Sequence, residues 1–320
     1  MIEVIRGGML TTVQDLGRRG YQNLGVVAGG AADPFAARMA NFLAGNKEDA
    51  ALLEMAFAGP KLRFVKRSVV AWCGADFTAT CDGKPLPKNR PVSLAAGSVL
   101  GFGGTKTGAM AWLAVGGGID VPEVMDSRST DLTGKFGGFE GRKLAAGDRL
   151  AIGQNDSGQS LSRGAASWSL GPERLVAVCG PGVVRVMRGP EWEWFSEGAK
   201  ETFFQSIFEV TKDGNRMGTR LSGPPLPLAE PREMISAAVD HGVIQVPPSG
   251  QPIILGADRQ TIGGYPRIGV VATVDLGKLA QFRPGETVRF HEIQTHEAHE
   301  LLLRRERDFS IARACLTLSL

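Results

Sequence analysis

The sequence has no long apolar run, no long run of like charge and no paired cysteines at metal-binding or redox spacing. No apolar stretch approaches the roughly 20 residues of a transmembrane helix. The N-terminal region lacks a basic segment followed by an apolar one, so we expect no signal peptide and a cytoplasmic location. A formal net charge of +3 is too small to indicate nucleic acid or a membrane as a partner.

Several catalytic motifs are also missing. There is no GxSxG elbow, which leaves serine acyl chemistry without support. The segment Gly101–Thr107 resembles a phosphate loop, but it lacks the glycine before the lysine and lies in a β context, so we reject it. The sequence has no Ala-Met-Lys-Met biotin attachment site and no recognisable ATP-binding domain. Biotin, or most of a nucleotide site, would have to come from another polypeptide.

Glycine is abundant instead, with 43 residues beside 18 prolines in a chain of 320. Short β-favouring runs alternate with glycine, proline and aspartate, which predicts a mostly β protein long enough for two domains. The four cysteines are scattered, and we expect thiols in a cytoplasmic chain. The predicted strands are Arg67–Trp72, Asp76–Thr80, Val99–Phe102, Met110–Val115, Leu175–Val178, Val183–Met187, Val243–Val246, Ile253–Leu255 and Val270–Val274.

One small element recurs three times, a glycine turn that begins a strand. It occurs at Ala96–Leu100, Ala146–Leu150 and Pro284–Val288. The recurrence fits repeated barrel-like β modules. It fits equally well the general likeness of glycine turns in any β protein.

Two helices and a short third one are expected. The first follows Asp33-Pro34, an N-cap and a first-turn proline, and ends at Gly45. The second spans about Ile293 to Arg305, and Leu276–Phe282 is the short one.

The domain organisation follows from one polar segment. Gly153–Gly171 is rich in Ser, Gly, Gln and Asn, and we interpret it as the connection between two domains. The first domain is then 1–160, the second 171–295, and a C-terminal helix and tail occupy 296–320. Composition alone also permits a single β domain with a long surface loop.

The densest polar constellation lies between Ser236 and Gly269. In an extended chain Asp258 and Gln260 face one side and Arg259 the other. Strongly polar groups followed by the exposed backbone of two glycines suit an anionic or carbonyl-bearing ligand. The alternative is a hydrogen-bonded turn with a structural Asp–Arg pair.

Three smaller clusters have two interpretations each. Arg216 and Arg220 are four residues apart and would clamp a carboxylate or phosphate, or remain solvated surface cations. Gln14 and Asp15 would bind ligand or fix a turn, and the residue types favour the turn. His296 and His299 have chelating spacing, but glutamates surround them as on a solvated helix face, so we predict no metal site.

Longer motifs identify a family. They are Thr11–Arg18, Gly29–Asp33, Ala40–Asn46, Leu53-Glu54, Gly59-Pro60, Arg216–Leu221, Ile244–Ile253 and Ala257–Pro266. With these stretches the sequence resembles the biotin-dependent carboxyltransferase / allophanate hydrolase subunit 2 family from about Ile2 to Phe290. His241, before Gly242, and the tail after about Glu300 depart from the family pattern.

The resemblance implies a fold and a function. Family members have two cyclophilin-like β-barrel subdomains. The resemblance implies a subunit of a heteromeric ATP-dependent 5-oxoprolinase, acting with an allophanate hydrolase subunit 1-type protein and a lactam hydrolase. ATP with Mg²⁺ is expected to bind to the assembled complex. The alternatives are a carboxyltransferase component acting on urea or a related amide, and a non-catalytic regulator that antagonises an inhibitor of a histidine kinase.

Phosphorylation of the lactam carbonyl oxygen would need cations and N–H donors around the transferring group. We expect Arg216, Arg220 and Arg259 to supply the cations, and Asp258 to hold Mg²⁺ or orient Arg259. Gln245 is expected to bind the substrate together with a second group of residues. These are Gln14, Asp15, Gln251, Gln260, Thr261, Gly263, Gly264 and Tyr265.

Overall fold

The computed structural model describes residues 1–154, 164–170 and 182–317, and it confirms a mostly β protein. The chain forms two compact units. The first is built mainly from Met1–Arg19 and Gly29–Pro172, and the second from Gly20–Ala28 and Glu173–Cys315. The predicted strand Leu175–Val178, Cys179 and most of the predicted connection lie outside the described residues.

The first unit contains a seven-stranded sheet in the order β11-β12-β1-β4-β9-β6-β7 and a six-stranded sheet in the order β13-β8-β5-β10-β3-β2. Its buried apolar core includes Trp72, Phe102 and Leu113. The strands are β1 (Ile2–Arg6), β2 (Leu10–Gln14), β3 (Leu52–Ala56), β4 (Lys61–Phe64), β5 (Ser68–Gly74), β6 (Phe77–Cys81), β7 (Lys84–Pro85), β8 (Val92–Leu94), β9 (Val99–Thr105), β10 (Met110–Val115), β11 (Ile119–Asp120), β12 (Arg149–Ile152) and β13 (Gly164–Ala165).

Helix α1 (Pro34–Leu43) forms where the sequence predicts it. The Asp33 carboxylate accepts hydrogen bonds from the backbone N–H groups of Phe35 and Ala36, both at 3.0 Å. Gly45 has φ +78°, the left-handed conformation that ends helices. Cys73 and Cys81 are free thiols, and burial raises the pKa of Cys73 above its ordinary value.

The second unit is a closed barrel in the order β14-β21-β18-β19-β16-β15-β22, with a separate two-stranded ribbon of β17 and β20. The barrel interior is filled by side chains such as Phe203, Ile244, Ile254 and Phe290. The strands are β14 (Val183–Arg188), β15 (Phe208–Val210), β16 (Gly218–Ser222), β17 (Ala237–Ala238), β18 (Val243–Gln245), β19 (Ile253–Leu255), β20 (Ile262–Gly263), β21 (Arg267–Val271) and β22 (Thr287–Glu292).

Among residues 182–317, three α-helices accompany the barrel: α2 (Glu197–Gln205), α3 (Leu276–Leu279) and α4 (Thr295–Thr317). Helix α4 runs beyond the expected end at Arg305 because residues 306–317 contain no glycine or proline to stop it. None of the helices in the described part of the chain has the length and apolar character needed to span a membrane.

The three recurring glycine turns share one long-range hydrogen-bond pattern. The glycines at 97, 147 and 285 have φ of +84°, +93° and +86°. Each glycine N–H donates to the carbonyl of a distant strand residue, whose own N–H donates to the carbonyl of the residue after the glycine. The strand residues are Phe64, Val4 and Val210, at 2.7–2.9 Å in all six hydrogen bonds. A chance likeness of turns would not need the same distant pairing, so the element is repeated structure.

The predicted strand Val270–Val274 ends early, at Val271, because the chain turns to bring Asp275 under Arg185. Asp275 is fully buried and accepts from the Arg185 Nη2 at 2.6 Å, its Nε at 3.0 Å and its backbone N–H at 2.8 Å. Burial alone would raise the pKa of Asp275. The hydrogen bonds from Arg185, with the charge of Lys278, hold that pKa below its ordinary value. This ion pair ties β14 to the turn after β21.

Candidate functional site

A cleft lies on the outer face of the barrel in the second unit. In the antiparallel register, Arg220 of β16 is opposite Ile253 of β19, which is also opposite Gln245 of β18. Directly paired residues point to the same side of a sheet. Their strand neighbours Ile244 and Ile254 fill the barrel interior, so Arg220, Ile253 and Gln245 face outward.

The cleft has a volume of about 150 Å³. Its floor is made by outward-facing residues of β16, β18 and β19, and its sides come from the turn before β16 and the loop after β19. The lining residues are Asn215, Met217, Gly218, Arg220, Gln245, Ile253, Leu255, Gln260 and Tyr265.

Two glutamine side chains form a short chain of amides in the cleft. Gln260 Nε2 donates to Gln245 Oε1 at 3.3 Å, and Gln245 Nε2 donates to the Tyr265 carbonyl at 3.3 Å. A Cβ at Gly263 would lie 2.4 Å from Gln245 Nε2, so only glycine allows the loop to pack on this amide. Gln245 is thereby fixed, and Gln260, which donates to it from Nε2, lines the cleft with its Oε1 as a possible acceptor.

Arg220 supplies the positive charge of the cleft. Its side chain is exposed, and among the described residues no carboxylate lies within salt-bridge distance of it. The apolar side chains of Ile253 and Leu255 lie beside this guanidinium, where water is partly excluded. A guanidinium in such a setting favours a carboxylate or phosphate group on the ligand.

Arg216 and Asp258 lie outside the lining of the cleft because they pair with each other. Arg216 donates from Nε to Asp258 Oδ2 at 2.7 Å and from Nη2 to Oδ1 at 2.8 Å, and the two side chains are 9% and 11% exposed. The Asp258 N–H also donates to the Arg216 carbonyl at 2.9 Å. The expected convergence of Arg216 and Arg220 does not occur, because Arg216 lies in the turn before β16 and not in a strand.

The expected pairing of Asp258 and Gln260 on one side is likewise absent. A turn at Ala257-Asp258 breaks the strand alternation, so Gln260 enters the cleft and Asp258 does not. Arg259 is not among the residues that line the cleft, and it pairs with Asp240. The two ion pairs hold the loop after β19 from both sides, as the alternative of a structural Asp–Arg pair would require.

His241, the departure from the family pattern, lies in the turn beside this loop. Its backbone N–H donates to Asp240 Oδ1 at 2.7 Å, the same oxygen that accepts from Arg259. Burial, followed by the charge of Arg259, lowers the pKa of His241 to about 4. Its imidazole is therefore neutral near pH 7 and adds no charge to the loop.

Of the other predicted binding residues, Tyr265 lines the cleft. Gln251 exchanges two hydrogen bonds with the backbone of Gly223, at 2.8 and 3.0 Å. Thr261 accepts from the Val239 N–H through its carbonyl at 3.2 Å, and Gly264 lies against Ser236.

Gln14 and Asp15 belong to the first unit. The Asp15 carboxylate accepts from the hydroxyls of Ser127 and Ser129 and from the N–H groups of Gly17 and Arg128, at 2.5–2.8 Å. Gln14 Nε2 donates to Thr12 Oγ1 at 3.1 Å and to the Thr130 carbonyl at 3.3 Å. Because four donors surround the Asp15 carboxylate, this residue fixes a turn, which is the interpretation that the residue types favour.

The apolar half of the cleft was missed from the sequence. Met217, Ile253 and Leu255 line it, together with Asn215. The signal in the sequence was that Ile253 and Leu255 are two residues apart in β19 and so lie on the same face of the strand. Without the pairing register of β19, the sequence does not show whether that face points to the cleft or to the barrel interior.

The cleft can bind a small anion that also carries an amide or carbonyl group. It offers one guanidinium, two ordered amides and an apolar wall. Among its lining residues there is no aspartate or glutamate, and no cluster of metal-binding side chains occurs in the described part of the chain. Mg²⁺ prefers carboxylate oxygens, so this cleft does not fit the metal that the family resemblance implies.

Replacing Asp258 with asparagine is expected to lower the free energy of unfolding by about 1.5–3 kcal/mol, since a charged, nearly buried pair with Arg216 is lost. Turnover in the fraction that stays folded should change little, because the carboxylate is outside the cleft. Thermal unfolding and specific activity of the assembled enzyme would measure both. The control is Asp240→Asn, whose carboxylate is 83% exposed and should matter less. An unchanged melting temperature with hundredfold lower turnover would contradict this expectation.

Comparison with known proteins gives one family. The carboxyltransferase domain, subdomain A and B, matches residues 24–292. A 5-oxoprolinase subunit from Escherichia coli (strain K12) is 37% identical over 309 residues, covering 97% of this chain and 96% of the relative. The corresponding 5-oxoprolinase subunit from Haemophilus influenzae is 36% identical, and the match covers 96% of each chain.

A solved structure shares the fold. The crystal structure of the Kluyveromyces lactis urea amidolyase superposes with a TM-score of 0.87 at 31% identity. The match covers 96% of this chain but only 19% of the urea amidolyase chain. The same fold therefore occurs as almost a whole protein in some relatives and as a small part of a longer chain in another.

Proposed function

Because the chain belongs to the carboxyltransferase domain family, subdomain A and B, we propose that it is a subunit of a heteromeric ATP-dependent 5-oxoprolinase. The complex would couple hydrolysis of 5-oxoproline to glutamate with hydrolysis of ATP to ADP and phosphate. The partners would be an allophanate hydrolase subunit 1-type protein and a lactam hydrolase subunit, working in the cytoplasm.

The observation that carries this proposal is the equal extent of the chain and its relatives. The 5-oxoprolinase subunit from Escherichia coli matches 97% of this chain with 96% of its own length. A match that covers nearly all of the relative transfers more of a function than a match to one part of a multidomain protein, since no other domain in the relative can account for its name.

The cleft suits the substrate. Arg220 would bind the carboxylate of 5-oxoproline. Gln260 Oε1 would accept a hydrogen bond from the lactam N–H. Its ring carbons would lie against Ile253 and Leu255. In this assignment Gln245 does not bind substrate directly but holds Gln260 in place.

The groups that activate and open the lactam belong, in this proposal, to the partner chains. Its described lining contains no carboxylate for Mg²⁺, and Tyr265 is its only side chain that could act as a nucleophile or general base. This chain would bind and orient the lactam, so its contribution is to position the carbonyl carbon for chemistry supplied from outside.

The proposal is tested by reconstitution. The purified chain alone should show no 5-oxoproline-dependent ATP hydrolysis, whereas co-expression with both partners should give it, with glutamate and ADP formed in equal amounts. Robust ring opening by the isolated chain, or an inert complex of all three subunits, would refute the assignment.

The structural relative favours a second candidate, a carboxyltransferase component that moves CO₂ from carboxybiotin to urea or a related amide. Its support is the TM-score of 0.87 to the urea amidolyase. The same cleft would then hold an amide without a carboxylate. Urea-dependent ATP turnover with a biotin carboxylase present, and none with 5-oxoproline, would select this candidate.

A further inference from the structure

The peptide bond beside the Gln245 side chain offers an acceptor and no donor. Gln245 Nε2 lies 3.3 Å from the Tyr265 carbonyl oxygen, and the next residue is Pro266. Proline has no backbone N–H, so this peptide unit can only accept a hydrogen bond. The Val246 N–H donates to the Pro266 carbonyl at 3.0 Å, which holds the segment along β18. The acceptor beside Gln245 is therefore fixed in place.

This acceptor decides how the Gln245 amide is oriented. The NH2 end must face the Tyr265 carbonyl, because the amide oxygen in its place would meet another acceptor. Gln245 Oε1 then faces Gln260, which donates to it from Nε2 at 3.3 Å. Gln245 is 1% exposed, so water cannot take the place of these partners if the amide is reversed. Only one orientation of Gln245 satisfies both of its ends.

The orientation of Gln245 in turn sets that of Gln260. Its Nε2 lies against the Gln245 oxygen, so Oε1 is the end of the amide that remains for a ligand. Within residues 1–154, 164–170 and 182–317, this oxygen has no hydrogen-bond donor. If Gln260 turned its amide over, its own Oε1 would meet Gln245 Oε1, and two acceptors would face each other. The cleft therefore presents an acceptor at Gln260.

We infer that Gln245 is a positioning residue that sets the specificity of the cleft: by fixing Gln260 as an acceptor, it selects cyclic amides over the matching lactones. A cyclic amide brings an N–H to Gln260 Oε1, whereas a lactone brings a ring oxygen, which is a second acceptor. The inference rests on the proposed function, because it places the ring of 5-oxoproline in this cleft. A site built to bind a substrate N–H rejects an analogue that lacks it, because the acceptor is left unpaired.

The test uses the reconstituted complex of full-length chains. The substrate is 5-oxoproline, and the competitor is 5-oxotetrahydrofuran-2-carboxylate, the lactone in which oxygen replaces the N–H. The inhibition constant of the lactone is measured from the fall in glutamate formation and is divided by KM for 5-oxoproline. The variants are Gln245→Met, Gln260→Met and the double variant. Circular dichroism, melting temperature and size-exclusion chromatography establish that each is folded and assembled.

In the wild type, the inhibition constant of the lactone should exceed KM for 5-oxoproline by about a hundredfold or more. Gln245→Met leaves Gln260 free to turn its NH2 group to the ring oxygen, so the lactone should bind at least about tenfold more tightly than to wild type. A distorted cleft would weaken the binding of both compounds and would not give this gain. In the Gln260→Met background, Gln245→Met should leave the ratio unchanged, because Gln245 acts through Gln260.

Lactone binding as tight as that of 5-oxoproline in the wild type would overturn the inference. So would a Gln245→Met complex that rejects the lactone as strongly as the wild type does. If Gln245→Met did not assemble, the partly exposed Gln260 would provide the test, since an unchanged ratio in Gln260→Met would equally overturn the inference. An absence of glutamate formation by the wild-type complex would instead overturn the proposed function itself.

Discussion

Replacing Arg185 with alanine should lower the free energy of unfolding by about 2–4 kcal/mol, because the buried Asp275 carboxylate loses both guanidinium hydrogen bonds and their charge. Arg185 donates three hydrogen bonds to this carboxylate, and no part of the aspartate side chain is exposed. The backbone donor would remain after the substitution, as would the ion pair with Lys278, whose Nζ lies 3.1 Å from Asp275 Oδ1. Chemical denaturation followed by circular dichroism would measure the change.

The matched control is Arg188→Ala on the same strand. Arg188 also pairs with a carboxylate, Glu292, at 2.6 Å, but its side chain is 54% exposed. Screening by water limits such a pair to about 1 kcal/mol or less. Equal destabilisation by the two substitutions would show that the burial of the Arg185–Asp275 pair does not determine the loss of stability.

The stability difference between the wild type and the Arg185→Ala protein should shrink at low pH. In the wild type, the pKa of Asp275 is held below its ordinary value, so its contribution to stability is present above that ordinary value and is lost as the pH falls through the folded pKa. Without the Arg185 guanidinium, only Lys278 and the backbone N–H oppose the effect of burial, so the pKa of Asp275 rises. The stability lost in the variant relative to wild type should therefore diminish as the pH falls from 7 toward about 4. If the free energies of unfolding of the two proteins changed in parallel with pH, this account would be contradicted.

Replacing Arg220 with alanine is expected to lower kcat/KM for 5-oxoproline about thirtyfold to a thousandfold in the assembled enzyme, equivalent to about 2–4 kcal/mol of lost charged contact. The melting temperature should stay close to that of wild type, since among the described residues no carboxylate pairs with this guanidinium. Arg220→Lys should recover part of the activity, because a point charge remains but the bidentate geometry does not.

The control for Arg220 is Arg289→Ala, another exposed arginine on a barrel strand, β22. It should leave kcat/KM unchanged. If Arg220→Ala retained full activity with 5-oxoproline, the cleft would not bind the substrate carboxylate. Size-exclusion chromatography of the complex would show whether activity was lost only because assembly was lost.

Local signals in the sequence located much of the fold. Helix α1 was predictable because Asp33, Pro34 and Gly45 are each chemically suited to one end of a helix. Helix α2 was not predicted, because only Ser196, whose hydroxyl accepts from the Ala199 N–H at 3.2 Å, marks its start and no periodic apolar face identifies it. Local chemistry therefore fixes helix ends better than helix existence when an element is short.

The candidate site was predictable only in its residue types. Gln245, Gln260, Arg220 and Tyr265 were selected from their motifs, and all line one cleft. Asp258 was expected in the cleft because the prediction assumed an extended strand at residues that form a turn. The Arg216–Asp258 ion pair forms because two turns that are 42 residues apart in the sequence lie side by side in the fold. The periodicity of the sequence does not predict that contact.

The discontinuous make-up of the second unit has a consequence for synthesis on the ribosome. This unit includes Gly20–Ala28 as well as Glu173–Cys315. At about 5–20 residues per second, Gly20–Ala28 leaves the ribosome roughly 15–60 s before the last of its unit is made. During that interval Gly20–Ala28 lacks the rest of the second unit. Nascent chains stalled before Glu173 would therefore hold Gly20–Ala28 open to protease, and a fragment that starts at Glu173 would lack a piece of its own unit.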